Sequence, residues 1–397
     1  MSTATSEFDV LIVGGGLVGG SLALALAHTS LRVGLVEAQT DEERQASSAG
    51  DRALALSRGT VQSLKALGVW DSAAAAAMAI RHIHVSDRGH FGKTRLHAAD
   101  CGVDALGHVV VARVLENAIQ AKLRETAVIR LCPVRTMGVK AGPDRVHATL
   151  KQGQDQLQVS ARLLVAADGG HSTVRTLLGV EQQIRDYGQT AVVTEVTTTK
   201  DTLNTAYERF TPSGPLAFLP LERRKCSVVW TLDSEAAEDA VRQGEGEFTA
   251  RLQEAFGYWL GRIALASRPV GFPLRLIRAD RMTDPRVVFI GNAMHQIHPV
   301  AGQGFNLGLR DAASLAERIA LQVQLREDIG APEFLESYAL ARRRDLERVV
   351  RFTDSLVRIF SNEFPPLVLG RNLALTAMDR IPMVKRLLSH QAMGYGG

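Results

Sequence analysis

Residues 9–37 read DVLIVGGGLVGGSLALALAHTSLRVGLVE, and this stretch decides the fold. Residues 9–13 are a short apolar run ending in glycines, the pattern of a buried strand. Residues 17–27 are rich in Leu and Ala and predict a helix, and residues 31–37 predict a second strand. Strand, turn, helix and strand in so few residues make a βαβ unit. Gly14, Gly16 and Gly19 sit at the strand-to-helix turn in the spacing GxGxxG. Glycine serves the tight turn, the approach of a pyrophosphate and the packing of helix on strand. The helix start then offers free N–H groups and a positive dipole to phosphates. Glu37 ends the second strand, where an acid accepts hydrogen bonds from a ribose. The motif alone does not separate FAD from NAD, and no second GxGxxG follows a strand.

Outward from this unit, residues 39–51 are polar and read as a loop, and 57–67 and 114–123 have helical periodicity. Residues 163–167 and 287–290 repeat the buried-strand pattern. Between them, residues 190–233 alternate Thr and Val with charged residues, which predicts an inserted antiparallel sheet. From Asn306 the chain reads helical almost to its end, with breaks near Pro365, Pro366 and Pro382.

A chain of 397 residues is long enough for two or three subdomains. Its 46 Lys+Arg against 42 Asp+Glu leave a formal charge of only +4, with no clustered basic reading motif, so nucleic acid is not an expected partner. Arg342, Arg343 and Arg344 alternate with acids and read as a solvated helix face. Three widely spaced cysteines support neither a disulfide framework nor a zinc ribbon, and a reducing, cytoplasmic setting is the default. The N-terminus lacks the features of a signal peptide. No apolar run reaches the ~20 residues of a membrane span. His295 and His298 form an HxxH pair without an evident third ligand, so no metal is expected.

Two later segments complete the picture: VAADGGHSTVR at 165–175 and RVVFIGNAMHQIHPVAGQGFNLGLRD at 286–311. With the N-terminal unit and GDRALAL at 50–56, they resemble the fingerprints of the group A flavoprotein aromatic hydroxylases, the p-hydroxybenzoate hydroxylase-like family. The resemblance spans about residues 8–350. LALTAMDRIPMVKRLL at 373–388 and GNA followed by HPVAGQGFNLGLRD are most similar to the ubiquinone-biosynthesis branch, the polyprenyl-methoxyphenol hydroxylases. Asn292 stands where the family usually has Asp, and Met294 where Ala is usual.

The resemblance implies an α/β fold: a Rossmann-like FAD-binding domain at 1–180 and 281–330, a mainly antiparallel substrate-binding sheet at 181–280, and C-terminal helices at 331–397. It implies FAD, with NAD(P)H as co-substrate, O2, and a prenylated phenol as the ring hydroxylated. FAD contacts are implied for Gly14, Gly16, Gly19, Glu37, Arg52, Arg113, Val134, Asp168, Gly291, Asn292, Gly302, Gln303, Gly304, Phe305 and Asn306. Pro299 and His298 are implied to lie beside the flavin ring, with no nucleophile or catalytic triad required. A prenyl tail calls for an apolar channel, with Phe210, Leu216, Phe218 and Leu219 as candidate lining. Residues 382–393 are a candidate peripheral membrane contact at the inner membrane, and the branch is associated with a ubiquinone-biosynthesis complex. Two other readings stay open: a hydroxylase of a soluble aromatic acid, which would want a convergent Arg or Tyr, and a flavin reductase on the same fold.

Overall fold

Alternation of apolar runs with amphipathic ones sorts the chain into three sheets and their covering helices. The computed structural model describes residues 6–297, 302–360, 364–381, 385, 389–390 and 392–394. The first part holds β1 (Ser6–Val13), α1 (Leu17–Leu26), β2 (Val33–Val36), α2 (Asp41–Ala46), β3 (Ala53–Ser57), α3 (Arg58–Ala66), α4 (Trp70–Ala74), β4 (Met78–Ile80), β5 (His82–Asp87), β6 (Lys93–His97), β7 (Gly107–Val111) and α5 (Ala112–Leu123). It continues with β8 (Ile129–Leu131), β9 (Arg135–Ala141), β10 (Val146–Gln152), β11 (Asp155–Ala166) and α6 (Thr173–Leu177). Next come β12 (Gln182–Thr198), β13 (Thr205–Thr211), β14 (Gly214–Glu222), β15 (Lys225–Asp233), α7 (Ser234–Arg242), α8 (Glu245–Phe256), β16 (Ile263–Leu265) and β17 (Val270–Ala279). The last are β18 (Thr283–Asp284), β19 (Val287–Phe289), β20 (His295–Gln296), α9 (Gln303–Leu325), α10 (Pro332–Phe360) and α11 (Pro365–Arg380).

The βαβ unit forms as its sequence requires. β1 lies between β2 and β11, parallel to both, and β19 joins parallel to β11. Val10, Leu11, Ile12, Leu35, Leu163, Leu164 and Val165 are all nearly sealed from solvent, which explains their continuous apolar runs. The β9–β10 hairpin extends β11 on the same sheet.

A second sheet runs β20-β17-β12-β15-β14-β13-β5-β6, with β16 on β12. It is antiparallel except where β13 meets β5. The expected inserted sheet is therefore present, with two differences. Residues 82–97, which the sequence reading leaves inside the FAD-binding segment, pair here as β5 and β6. The inserted segment also carries α7 and α8, which cover one face of the sheet. A small sheet, β3-β7-β4, bridges the two larger ones.

Residues 39–51 are not a plain loop. Thr40 accepts from Glu43 N at 3.1 Å, while the Glu43 carboxylate accepts from Thr40 N at 2.9 Å. This capping box starts α2, and its Thr-x-x-Glu spacing is legible in the sequence.

Arg342 is the larger correction. Arg343 and Arg344 are exposed, but Arg342 is only 7% exposed and points inward. Its Nε donates to Asp311 on α9 at 2.8 Å, and its Nη2 lies 2.8 Å from Asp345. Asp311 also takes His295 Nε2 at 2.7 Å and Gly291 N at 3.1 Å. One carboxylate thus ties α9 to α10 and to the turn after β19. Burial would raise the pKa of Asp311, but the His295 and Arg342 charges and hydrogen bonds outweigh it and hold the carboxyl below its ordinary range.

Asp311→Ala leaves Arg342 buried without its main countercharge, and a loss of about 3–5 kcal/mol is expected in chemical denaturation. Because the folded carboxyl titrates below its ordinary value of 3.8, this contribution is present in the wild type above that value. It is lost as pH falls through the lower folded value, so the gap between wild type and variant should narrow on acidification.

Candidate FAD site

The chain leaves β1 at Gly14, whose φ of +104° lies where side chains are strained. A Cβ there would sit 2.4 Å from the Ala167 carbonyl oxygen, and one on Gly19 would sit 1.9 Å from the Gly14 oxygen. These two glycines let β1, β11 and α1 converge. Gly16 differs, because a Cβ on it would meet nothing within 4 Å. Gly16 caps α1 without a side-chain hydrogen bond, and the first turn contains no acid. The N–H groups of that turn have no intrahelical partners, and the space beside Gly16 is open.

Around this terminus the expected residues gather. The Glu37 carboxylate accepts from Gly15 N at 2.9 Å and Gln39 N at 2.8 Å. Val134 is buried and its N donates to the Glu37 carbonyl at 2.7 Å. Asp168 follows β11 beside the Gly14 turn. Its Oδ2 accepts from Val174 N at 3.1 Å, while its Oδ1 is buried with no partner among the described residues.

The second half of the site comes from α9. Gly302, at φ +62°, caps that helix, again without a side-chain hydrogen bond. Its Cα faces β3, where an added Cβ would lie 2.9 Å from the Ala55 Cβ. A Cβ on Gly304 would meet nothing within 4 Å. Asn306 is buried and fully engaged with the protein. Its Oδ1 accepts from Ser57 N at 3.0 Å and from Thr60 Oγ1 at 2.6 Å, and its Nδ2 donates to the Ala55 and Gly302 oxygens. Asn306 therefore pins the α9 terminus to β3 and α3. Gly291, at φ +56°, and Gly308 both press on Val18 of α1, which brings the two helix starts into one region. Asn292 is exposed beside Gly291, and Gln303 and Phe305 are half-buried.

The arginines divide. Arg52 is exposed, and its carbonyl accepts from Ala112 N at 2.9 Å. Arg113 instead clamps the segment after α2. It donates to the carbonyls of Arg44, Gln45 and Ser47 and pairs with Asp51 at 2.6 Å. His298 and Pro299 lie outside the described residues. The sequence reading missed Gln120 on α5, whose Nε2 donates to the Gly15 oxygen at 2.7 Å while its Oε1 is buried without a partner among the described residues. It borders a cleft of about 290 Å³ walled by Arg44, Arg113 and Arg124, with Asp41 and Glu116 among them. No local pattern marks Gln120; only the packing of α5 against the glycine turn does.

The residues present fit a dinucleotide. Two helix N-termini stand uncapped, two glycines leave open space over them, and Asp168 and Gln120 hold unused acceptors at the same turn. Gly16→Ala should leave the thermal stability of the FAD-free chain within about 0.5 kcal/mol, as for a substitution touching nothing, yet lower FAD affinity in a fluorescence titration. Gly19→Ala should instead unfold or fail to express, because its Cβ meets backbone.

Comparison with known proteins agrees. The chain matches the FAD binding domain family over residues 7–353. It is 39% identical to ubiquinone hydroxylase UbiL of Rhodospirillum rubrum, covering 99% of this chain and 91% of that protein. It is 31% identical to 3-demethoxyubiquinol 3-hydroxylase of Escherichia coli, covering 97% and 98%. Among solved structures, p-nitrophenol 4-monooxygenase PnpA of Pseudomonas putida shares the fold, with a TM-score of 0.80 at 21% identity over 98% of this chain and 99% of that one. The chain belongs to this FAD-binding family and is an FAD-dependent monooxygenase of the group A flavoprotein hydroxylases.

Proposed function

We propose that the enzyme hydroxylates the ring of a prenylated phenol in ubiquinone biosynthesis, with NAD(P)H as reductant and O2 as the oxygen source. The observation that carries this is the end-to-end similarity to UbiL and to 3-demethoxyubiquinol 3-hydroxylase. Bound FAD would supply the redox chemistry, hydride acceptance and activation of O2. The protein's own groups hold and bias it. The first-turn N–H groups of α1 at Gly16 suit the pyrophosphate, and Glu37 is the acceptor for a ribose. Asp168, Gly291 and Asn292 suit the ribityl chain; Asn292 can both accept and donate. The positive end of α9 at Gly302, Gln303 and Gly304 favours negative charge on the flavin ring. Arg113 and Asn306 act one step removed, by fixing the segment after α2 and the α9 terminus. FAD binding is assigned to 1–180 and 281–330, less the strands β5 and β6, and substrate binding to the nine-stranded sheet.

The sheet supports a prenylated rather than an acidic substrate. Strand alternation gives it two faces. Leu216, Phe218, Val228 and Trp230 pack with Phe248 and Phe256 of α8, so Leu216 and Phe218 are core and not channel lining. The opposite face carries Val193, Ala217, Leu219 and Val229, all half-buried and apolar. Tyr207 and Arg209, the side chains of β13 that could hold a carboxylate, are turned to α8: Tyr207 stacks edge-on to Phe256 and Arg209 donates to the Ala255 carbonyl at 3.0 Å. Phe210 stacks on Phe360 of α10 at 3.7 Å.

Most of residues 382–393 lies outside the described residues, Met383, Val384, Arg386, Leu387 and Leu388 among them. No described helix is long and apolar enough to cross a membrane. Peripheral contact through residues 382–393 and association with a biosynthetic complex remain part of this proposal.

The gene carried by a bacterial mutant lacking its ring hydroxylase should restore ubiquinone and remove the accumulated polyprenyl-methoxyphenol in mass-analysed extracts. A flavin-loaded protein that leaves that intermediate in place would contradict the substrate assignment.

A further inference from the structure

The same face of the sheet carries Asp87, paired with Arg371, and the ion pair Glu195–Lys225 at 2.7 Å, and it also carries Glu208, for which the binding of FAD gives no reason. Glu208 is the middle residue of β13. Tyr207 and Arg209 beside it face α8, so alternation turns Glu208 the other way. Its paired neighbours are Ala217 on β14 and Val85 on β5, both apolar. Two residues before it, Ala206 packs with Ile80, Val109, Leu219 and Ala53. Two residues after it, Phe210 packs with Phe360, Leu375 and Val85. The carboxyl therefore stands in the gap between two apolar clusters. The first of these includes β3, whose Ala55 touches Gly302 at the start of α9.

Nothing among the described residues neutralises it. Glu208 is half-buried, no hydrogen bond or ion pair to it is found among the described residues, and its partial withdrawal from water pushes its carboxyl up to about 7. The nearby charges are engaged elsewhere. On β5, Asp87 binds Arg371 at 2.8 Å and Asn372 at 2.9 Å, both on α11. On β13 itself, Arg209 lies on the other face. An acid kept without a partner on an apolar face costs stability, and such groups gather at functional sites.

We propose that Glu208 holds the phenol hydroxyl of the substrate and takes its proton as the ring is oxygenated, which rests on the functional reading above. The carboxylate accepts the phenolic hydrogen bond and then the proton. The O–H bond breaks and its electron pair stays on the phenolate oxygen, which enriches the ring in electrons. One oxygen of O2 bonds to a ring carbon, and that carbon releases its own hydrogen as a proton. The other oxygen leaves as water, with the two electrons supplied by NAD(P)H. Glu208 returns its proton to the product oxygen. The same carboxylate repels an acidic substrate, in line with a neutral prenylated ring.

The test uses FAD-loaded enzyme, NAD(P)H, O2 and a short-tailed prenyl-methoxyphenol, with hydroxylated product measured against pH. In the wild type, product formation should rise with pH through about 7, because the carboxyl must be ionised to act. Glu208→Gln should lower product formation by about 10²–10⁴-fold, the range for loss of a general base, and abolish that pH limb. NAD(P)H consumption should then end in H2O2. Glu208→Asp, which keeps the base on a shorter stem, should recover part of the rate and the limb. A Glu208→Gln enzyme with wild-type product formation and pH profile overturns the proposal alone. A wild type that binds FAD but converts no prenylphenol overturns the functional reading, and the role of Glu208 with it.

Discussion

The structure depends on a helix that begins without a cap. A side chain can answer the first free N–H groups of a helix, as Ser57 does for Thr60 N at 3.2 Å at the start of α3. α1 has only Gly16 there, and no acid within its first turn. Those donors need an external acceptor, and a pyrophosphate is one. Holding the terminus open demands close backbone approach, which Gly14 and Gly19 permit at distances no Cβ tolerates. The parallel core of β1, β2 and β11 is the rigid support that keeps the turn from collapsing onto itself.

The rest of the molecule brings a second open terminus to the first. Asn306 fixes the start of α9 with hydrogen bonds to Ala55 and Ser57 of β3 and Thr60 of α3, and a fourth to its own N-cap Gly302. Asp311, one helical turn and a half further on, anchors the same helix to His295 and Arg342. These buried polar groups bond to the protein itself, and their work is positional. The nine-stranded sheet then turns one face to its own helices and the other toward this assembly. That second face is largely apolar around Glu208, with Asp87 and the Glu195–Lys225 ion pair also on it, so the acid and the flavin site lie on facing layers of one molecule.

What the sequence made legible was local. The βαβ unit, its glycines and Glu37 occupy contiguous residues, and the hydrophobic period fixes each piece before any tertiary contact is known. β12 to β15 follow from alternation and turns for the same reason. β5 and β6 did not: β13, which joins β5 to the sheet, lies more than a hundred residues away, and a short strand such as HIHVSD shows no clean alternation. Arg342 looked solvated because its neighbours in the chain are charged; the Asp311 that buries it is on another helix. Leu216 and Phe218 were read as possible lining because period two tells which residues share a face but not which face is covered. Glu208 was invisible among Tyr207 and Arg209 for the same reason. α2 is different: its capping box was there to be read.

The central claim is that this flavin site delivers one atom of O2 to an aromatic ring. Turnover of purified, FAD-loaded enzyme under ¹⁸O2 with NAD(P)H and a prenylated phenol, followed by mass spectrometry of the product, tests it most directly. One ¹⁸O in each hydroxylated ring is the expected result. A product carrying oxygen only from water, or a reduced and unoxygenated ring, would contradict the account.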